Sequence, residues 1–150
     1  MDGNTKKYVC LILLICCGLA FIVFQTQAQP TRHGGDVELL ARVIRAEGEA
    51  EPFTGQVAIG AVILNRIQNS KFPKTMAGVI YQPHAFESVS NGSINQPPTP
   101  SARKAARAAL NGWDPSGGAL FFYNPAKVGP RSYIWSRRVI NRIGYHDFAL

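Results

Sequence analysis

Three hydrophobic patterns follow one another along the chain. Two lysines, Lys6 and Lys7, precede an unbroken apolar run of 17 residues, Tyr8–Phe24, and a polar stretch ending Thr26-Gln27-Ala28 closes it. Next comes a stripe at helical spacing, in which Val37, Leu40, Val43, Ile44 and Glu47 share one face at about 100° per residue. Asp36 is a fitting N-cap for this helix, which is expected to run to about Glu47, with Gly48 and Pro52 ending it. The third pattern is apolar almost all round: Val57, Ala58, Ile59, Ala61, Val62, Ile63, Leu64 and Ile67 predict a helix from Gln56 to about Asn69, capped by Thr54. A helix without a polar face is central and buried.

Beyond these, a short helix near Thr75–Ile80 follows Pro73, and Asn91-Gly92 between Phe86–Val89 and Ser93-Ile94 reads as the turn of a small hairpin. Thr99-Pro100 opens an alanine-rich helix to about Leu110, stopped by Asn111-Gly112. Ala119–Tyr123 is expected to be a short strand, and residues 125–150 to be loop with one or two strands such as Val139–Ile143. The expected fold is α+β, mainly helical, with a small sheet.

Composition adds location and partner class. A positive start, an apolar run and small residues before a cut after Ala28 describe a secretory signal at 1–28. The 17-residue run is also at the lower limit for crossing a bilayer core of ~30 Å, so a membrane anchor through residues 8–24 is the rival reading. Residues 29–35, with Pro30 and Gly34-Gly35, read as a linker, and 36–150 as one domain. All three cysteines, Cys10, Cys16 and Cys17, lie in the leader, so the body carries no disulfide, thiol nucleophile or cysteine metal ligand. Lys and Arg number 16 against 9 acids. That excess suits an anionic partner, cell-wall polymer or nucleic acid. An export segment and the lack of interleaved aromatic and basic residues speak against nucleic acid.

Glu47 is the one acid on the apolar stripe, and it falls in the last helical turn. Burial and the negative end of the helix dipole both make a charge there expensive. An acid that keeps its proton can donate it to a leaving alcohol, which is what glycosidic cleavage requires. The plainer alternatives are an arginine partner or rotation into solvent. Glu51, four residues on, is either a second active-site acid or a structural partner that stiffens the loop.

The segments LLARVIRAEGEAEPFTGQVAIGAVILNRIQNSKFPKTMAGVIYQPHAF, FESVSNGSIN, ARAALNGWDPSGGALFFYNPA and IGYHDF resemble the spore-cortex-lytic enzymes and cell wall hydrolases of the SleB/CwlJ type, in the family's order. The family's first block reads close to AEARGEP. This chain has AEGEAEP, which keeps Glu47, Glu51 and Pro52 and changes Gly48, Glu49 and Ala50. The resemblance implies a lysozyme-like or resuscitation-factor-like domain acting on peptidoglycan glycan strands, with Glu47 as its catalytic acid. It further implies lytic transglycosylation between N-acetylmuramic acid and N-acetylglucosamine, with cortex and vegetative wall both open as substrate. SleB-type enzymes usually carry a separate peptidoglycan-binding domain, for which residues 29–35 leave no room.

A hydrolase would need a second carboxylate, and Glu87, Asp114 and Glu51 are the candidates. Asp114, before Pro115, reads more simply as a capping residue. Tyr81, Gln82, Phe86, Tyr123, Asn124 and Trp135 supply the aromatic faces and amides a sugar groove uses, although each aromatic taken singly also suits core packing. His33, His84 and His146 have no metal-ligand spacing, and His146 reads as a hydrogen-bonded structural histidine. Neither a metal nor a cofactor is implied. Arg131, Arg137, Arg138 and Arg142 are candidates to meet anionic wall polymer, and a non-catalytic wall-binding protein is the competing class.

Overall fold

The structure, a computed structural model, describes residues 31–150. The leader with its cysteines, the anchor candidate 8–24 and the start of the linker lie outside the described residues. Gly35–Leu150 forms one compact unit, and the description below concerns it.

Among the described residues there are five α-helices: α1 (Thr31–Gly48), α2 (Phe53–Gln68), α3 (Met76–Ile80), α4 (Glu87–Ser90) and α5 (Pro100–Leu110). Strands β1 (Phe121–Tyr123), β2 (Val139–Ile143) and β3 (His146–Ala149) make one antiparallel sheet in the order β1-β3-β2. The fold is therefore α+β and mainly helical, as the patterning predicts. The all-apolar helix is indeed central: α2 is buried continuously from Gly55 to Ile63. Leu40, Ala41, Val43 and Ile44 of α1 pack on it from one direction, and Ala102, Ala105, Ala106 and Ala109 of α5 from another. Thr99 caps α5, its side chain accepting from the Ala102 N–H, and Thr75 caps α3 in the same way. Thr99 is the opening residue the sequence marks, whereas Thr75, expected as the first residue of the short helix, stands just before it as the cap.

Four expectations fail locally. The first helix begins at Thr31, so Asp36 lies inside it and residues 31–35 of the expected linker are helical. Glycine weakens a helix by about 1 kcal/mol through entropy without forbidding it, so Gly34-Gly35 do not stop one. Second, α2 starts at Phe53 with Pro52, not Thr54, at the cap position. There the Gln56 side chain donates to the Glu51 carbonyl. Third, the strand of 119–123 is shorter than expected, although Leu120 already donates to Ala149.

The largest correction concerns 86–95, which contains no hairpin. It forms α4 and a 3-10 turn, Ser93–Asn95. A type I′ hairpin turn needs positive φ at both central residues, but Asn91 has φ −93 and only Gly92 is positive, at 78. The pair instead ends one helical turn and starts the next. The two-residue hairpin sits elsewhere: Ile143 pairs with His146 across Gly144-Tyr145. Gly144, with φ 59, supplies the positive first position of a II′-type turn.

Candidate active site

Three side chains of α1 hold the 87–95 segment against the helix. Arg42 and Arg45 donate to the carbonyls of Asn95 and Ser93, at 3.3 and 2.9 Å, and Glu47 accepts from the Ser88 N–H at 3.3 Å. Glu47 thus faces the start of α4. Two adjoining cavities meet around it. One, of about 320 Å³, is lined by Ala46, Glu87, Ser88, Phe122 and Tyr123 among others, and the second, of about 300 Å³, by Gly48, Ala50, Glu51 and Tyr145. Glu47, Asn124, Lys127 and His146 line both. These four residues, from the end of α1, the loop after β1 and the start of β3, form the shared waist of one groove.

The two acids of the Glu47/Glu51 pair divide differently from the sequence expectation. Glu47 is half-buried and keeps open access to the groove, whereas Glu51 is the buried one, at 7% exposure. Both Glu51 oxygens accept the Tyr145 N–H, at 3.0 and 3.3 Å, and Oε1 lies 2.7 Å from His146 Nδ1. Glu51 therefore ties the α1–α2 corner to the β2–β3 hairpin. The fit there is tight: a Cβ on Gly144 would stand 1.9 Å from Glu51 Oε2 and 2.7 Å from Pro52 Cδ. Of the two roles left open for Glu51, its contacts are those of a support.

The other candidates separate. Tyr123 and Asn124 line the groove, and Trp135 stands edge-on to Tyr123 at 5.5 Å without lining it. Tyr81 and Gln82 are exposed at the end of α3, outside the groove lining. Phe86 is a core residue at 4% exposure, not a sugar platform. Its ring lies against the guanidinium of Arg66, which is enclosed by Phe72, Phe86 and Phe121 at 5.3–5.5 Å and donates to the Leu120 carbonyl at 2.7 Å. Burial there pulls the Arg66 pKa down to about 10.

Asp114 lies in a different cavity, of about 370 Å³, between α2 and α5. Burial would raise its carboxyl, but hydrogen bonds from the Ser116 hydroxyl, Asn65 and the Gly118 and Ser116 N–H groups outweigh this and hold it below the ordinary value. It is the capping residue the sequence suggests. Glu87, by contrast, lines the same lobe as Glu47. Ser88 is 2% exposed, and its Oγ has no hydrogen-bond partner among the described residues.

Sequence reasoning missed Lys127, which no pattern marks, and Tyr145, although Tyr145 stands within the IGYHDF segment. Among the described residues, no group of three or more His, Cys, Asp or Glu side chains converges as a metal site would require. Nor is any helix among them long and apolar enough to cross a membrane.

Comparison with known proteins adds three findings. Residues 50–149 match the model of a family described as Cell Wall Hydrolase, a match that begins just after Glu47 and includes Glu51 and His146. The spore cortex-lytic enzyme of Bacillus cereus is 45% identical over 114 residues, covering 76% of this chain and 44% of that protein, and the cell wall hydrolase CwlJ of Bacillus subtilis is 35% identical over 120 residues, covering 75% and 83%. The catalytic domain of the germination-specific lytic transglycosylase SleB of Bacillus anthracis superposes with a TM-score of 0.74 at 41% identity, over 82% of this chain and 98% of that domain. The chain thus spans less than half the length of the spore cortex-lytic enzyme it matches.

Proposed function

The chain belongs to the cell wall hydrolase family, and from that premise we propose that it is an exported enzyme that cuts peptidoglycan glycan strands with Glu47 as its acid. The observation that carries this is the position of Glu47 at the waist of the groove, with one hydrogen bond from the Ser88 N–H and the rest of its carboxyl open to the space a sugar chain would fill.

The reaction we assign is lytic transglycosylation. The Glu47 carboxylic acid protonates the oxygen bridging N-acetylmuramic acid to N-acetylglucosamine, and the glycosidic bond breaks as that oxygen leaves. Glu47, now a carboxylate, takes the proton of the muramic C6 hydroxyl as its oxygen bonds to C1, leaving a 1,6-anhydromuramic end. One carboxyl thus serves as acid and then base. In support, Glu51 is engaged by Tyr145 and His146 and Asp114 by the 116–118 turn, so neither is free to act as a nucleophile. A second reading keeps water as nucleophile, with Glu87 as the second carboxylate, because Glu87 lines the same lobe as Glu47.

The test is digestion of purified peptidoglycan, from spore cortex and from vegetative wall, followed by mass spectrometry of the fragments. Anhydro ends are expected, and a folded Glu47→Gln variant is expected to lose at least about a hundredfold in rate. Reducible ends alone would move the assignment to hydrolysis through Glu87. Full activity in Glu47→Gln would remove Glu47 from the chemistry. Release of no fragments by a wall-bound wild type would leave a binding protein.

The same reading places the domain 36–150 outside the cytoplasm, delivered by the leader 1–28 or held at the membrane by residues 8–24. A reporter fused to residues 1–35 is expected to be exported.

A further inference from the structure

His146 sits at the waist of the groove, yet glutamate-dependent cleavage as derived above gives it no task. Its Nδ1 lies 2.7 Å from Glu51 Oε1. Glu51 also accepts the Tyr145 N–H, and an ionised carboxylate can only accept, so the imidazole proton belongs on Nδ1. The opposite nitrogen, Nε2, makes no hydrogen bond to the described residues, and in the neutral Nδ1–H ring it carries the lone pair. The ring is fixed on its other side by Phe122, edge-on at 5.4 Å, and lines both lobes. A tight frame holds this arrangement. Glu51 is buried under the Gly144-Tyr145 turn, where even a methyl group on Gly144 has no room.

We infer that Glu51 and His146 form a positioning pair that presents imidazole Nε2 to the groove as a hydrogen-bond acceptor for a hydroxyl or acetamido N–H of the glycan, beside the bond that Glu47 cuts. Glu51 is the positioning residue and His146 the binding residue. The role at Glu47 rests on the proposed wall-cleaving reading, but binding through Nε2 can be measured without turnover.

Two substitutions of His146 separate this role from a purely structural one. In His146→Asn the amide donor replaces Nδ1–H and keeps the bond to Glu51, but nothing reaches the position of Nε2. His146→Gln places a polar group near Nε2 and gives up the Glu51 bond. The inference expects His146→Asn to retain the wild-type melting temperature while kcat/KM on peptidoglycan falls about 3- to 10-fold, the range of one hydrogen bond. His146→Gln is expected to melt lower but to keep the higher kcat/KM of the two. Activity that simply follows melting temperature would overturn it.

The second measurement is the ¹⁵N shifts of the His146 ring in the full chain, with and without a soluble tetrasaccharide of alternating N-acetylglucosamine and N-acetylmuramic acid. An Nδ1–H tautomer whose Nε2 signal moves on addition of glycan is expected. In Glu51→Gln, whose amide would donate to Nδ1, the ring is expected to switch to the Nε2–H tautomer, with kcat/KM falling by a similar factor. An unresponsive Nε2, or a doubly protonated ring at the assay pH, would overturn the inference even if the wild type cuts peptidoglycan. A responsive Nε2 in a chain that cuts nothing would uphold it and sink the catalytic reading alone.

Discussion

Gly144→Ala is the sharpest test of how the groove is held together. The added methyl carbon would stand 1.9 Å from Glu51 Oε2 and 2.7 Å from Pro52 Cδ, at a residue whose φ is 59. An L-residue at positive φ costs about 1–2 kcal/mol. To admit the methyl, the buried carboxylate must move away from Tyr145 N and His146 Nδ1, and hydrogen bonds to a charged group are worth about 1.5–3 kcal/mol each. Partial loss of both brings the total to about 3–5 kcal/mol, a large share of the roughly 5–15 kcal/mol that stabilises a domain. For a unit the size of Gly35–Leu150, unfolding entropy is roughly 0.24 kcal/mol/K, so the melting temperature should fall by about 12–20 °C.

Thermal unfolding followed by circular dichroism reads this directly, and a double-mutant cycle with Glu51→Ala assigns the cause. In the Glu51→Ala background the carboxylate is gone, so Gly144→Ala should lose only the backbone and Pro52 contributions, and the two substitutions should couple by about 2 kcal/mol. A fall of only about 4–8 °C when Glu51 is present, the backbone contribution alone, would refute the claim that Glu51 fills the space under the turn. So would additivity in the cycle.

Phe86→Ala removes a core ring that also covers Arg66, so it should cost about 3–5 kcal/mol of stability. Tyr81→Ala, on the surface, should change stability by less than about 0.5 kcal/mol. Melting curves together with KM on a soluble glycan check both, and a raised KM with an unchanged melting temperature in Phe86→Ala would restore it as a sugar platform. Asp114→Asn tests the depressed carboxyl between α2 and α5. Because the folded-state pKa lies below the ordinary 3.8, the carboxylate stabilises the fold above that value, and this is lost as pH falls through the folded value. The wild type should therefore melt above Asp114→Asn at pH 7, and the two curves should converge as the pH falls below 3.8 and through the lower folded value. A gap that persists at low pH would mean the charge is not what matters.

The sequence by itself determined the elements whose signals are local or periodic. Thr99 caps the helix it announces, because a side-chain oxygen beside free N–H groups acts within a single turn of chain. The apolar circumference of α2 forces that helix to the centre, and the stripe Leu40–Ile44 forces α1 onto it, because neither has another way to remove its surface from water. Glu47 follows from the same stripe, one turn beyond its last buried member.

Tertiary structure alone decided the rest. Asn91-Gly92 and Gly144-Tyr145 are both plausible hairpin turns in one dimension. What selects between them is pairing partners: β3 has β1 and β2 on its two sides, while the 87–95 segment is claimed by Arg42, Arg45 and Glu47 of α1. Which acid is buried was also out of reach, since Glu51 is covered by a hairpin more than ninety residues away in the chain. The same holds for Phe86 and for Lys127, one drawn inward over a buried guanidinium and the other brought to the groove by the loop after β1. A side chain's surroundings are set by contacts between distant segments, and no spacing along the chain encodes them.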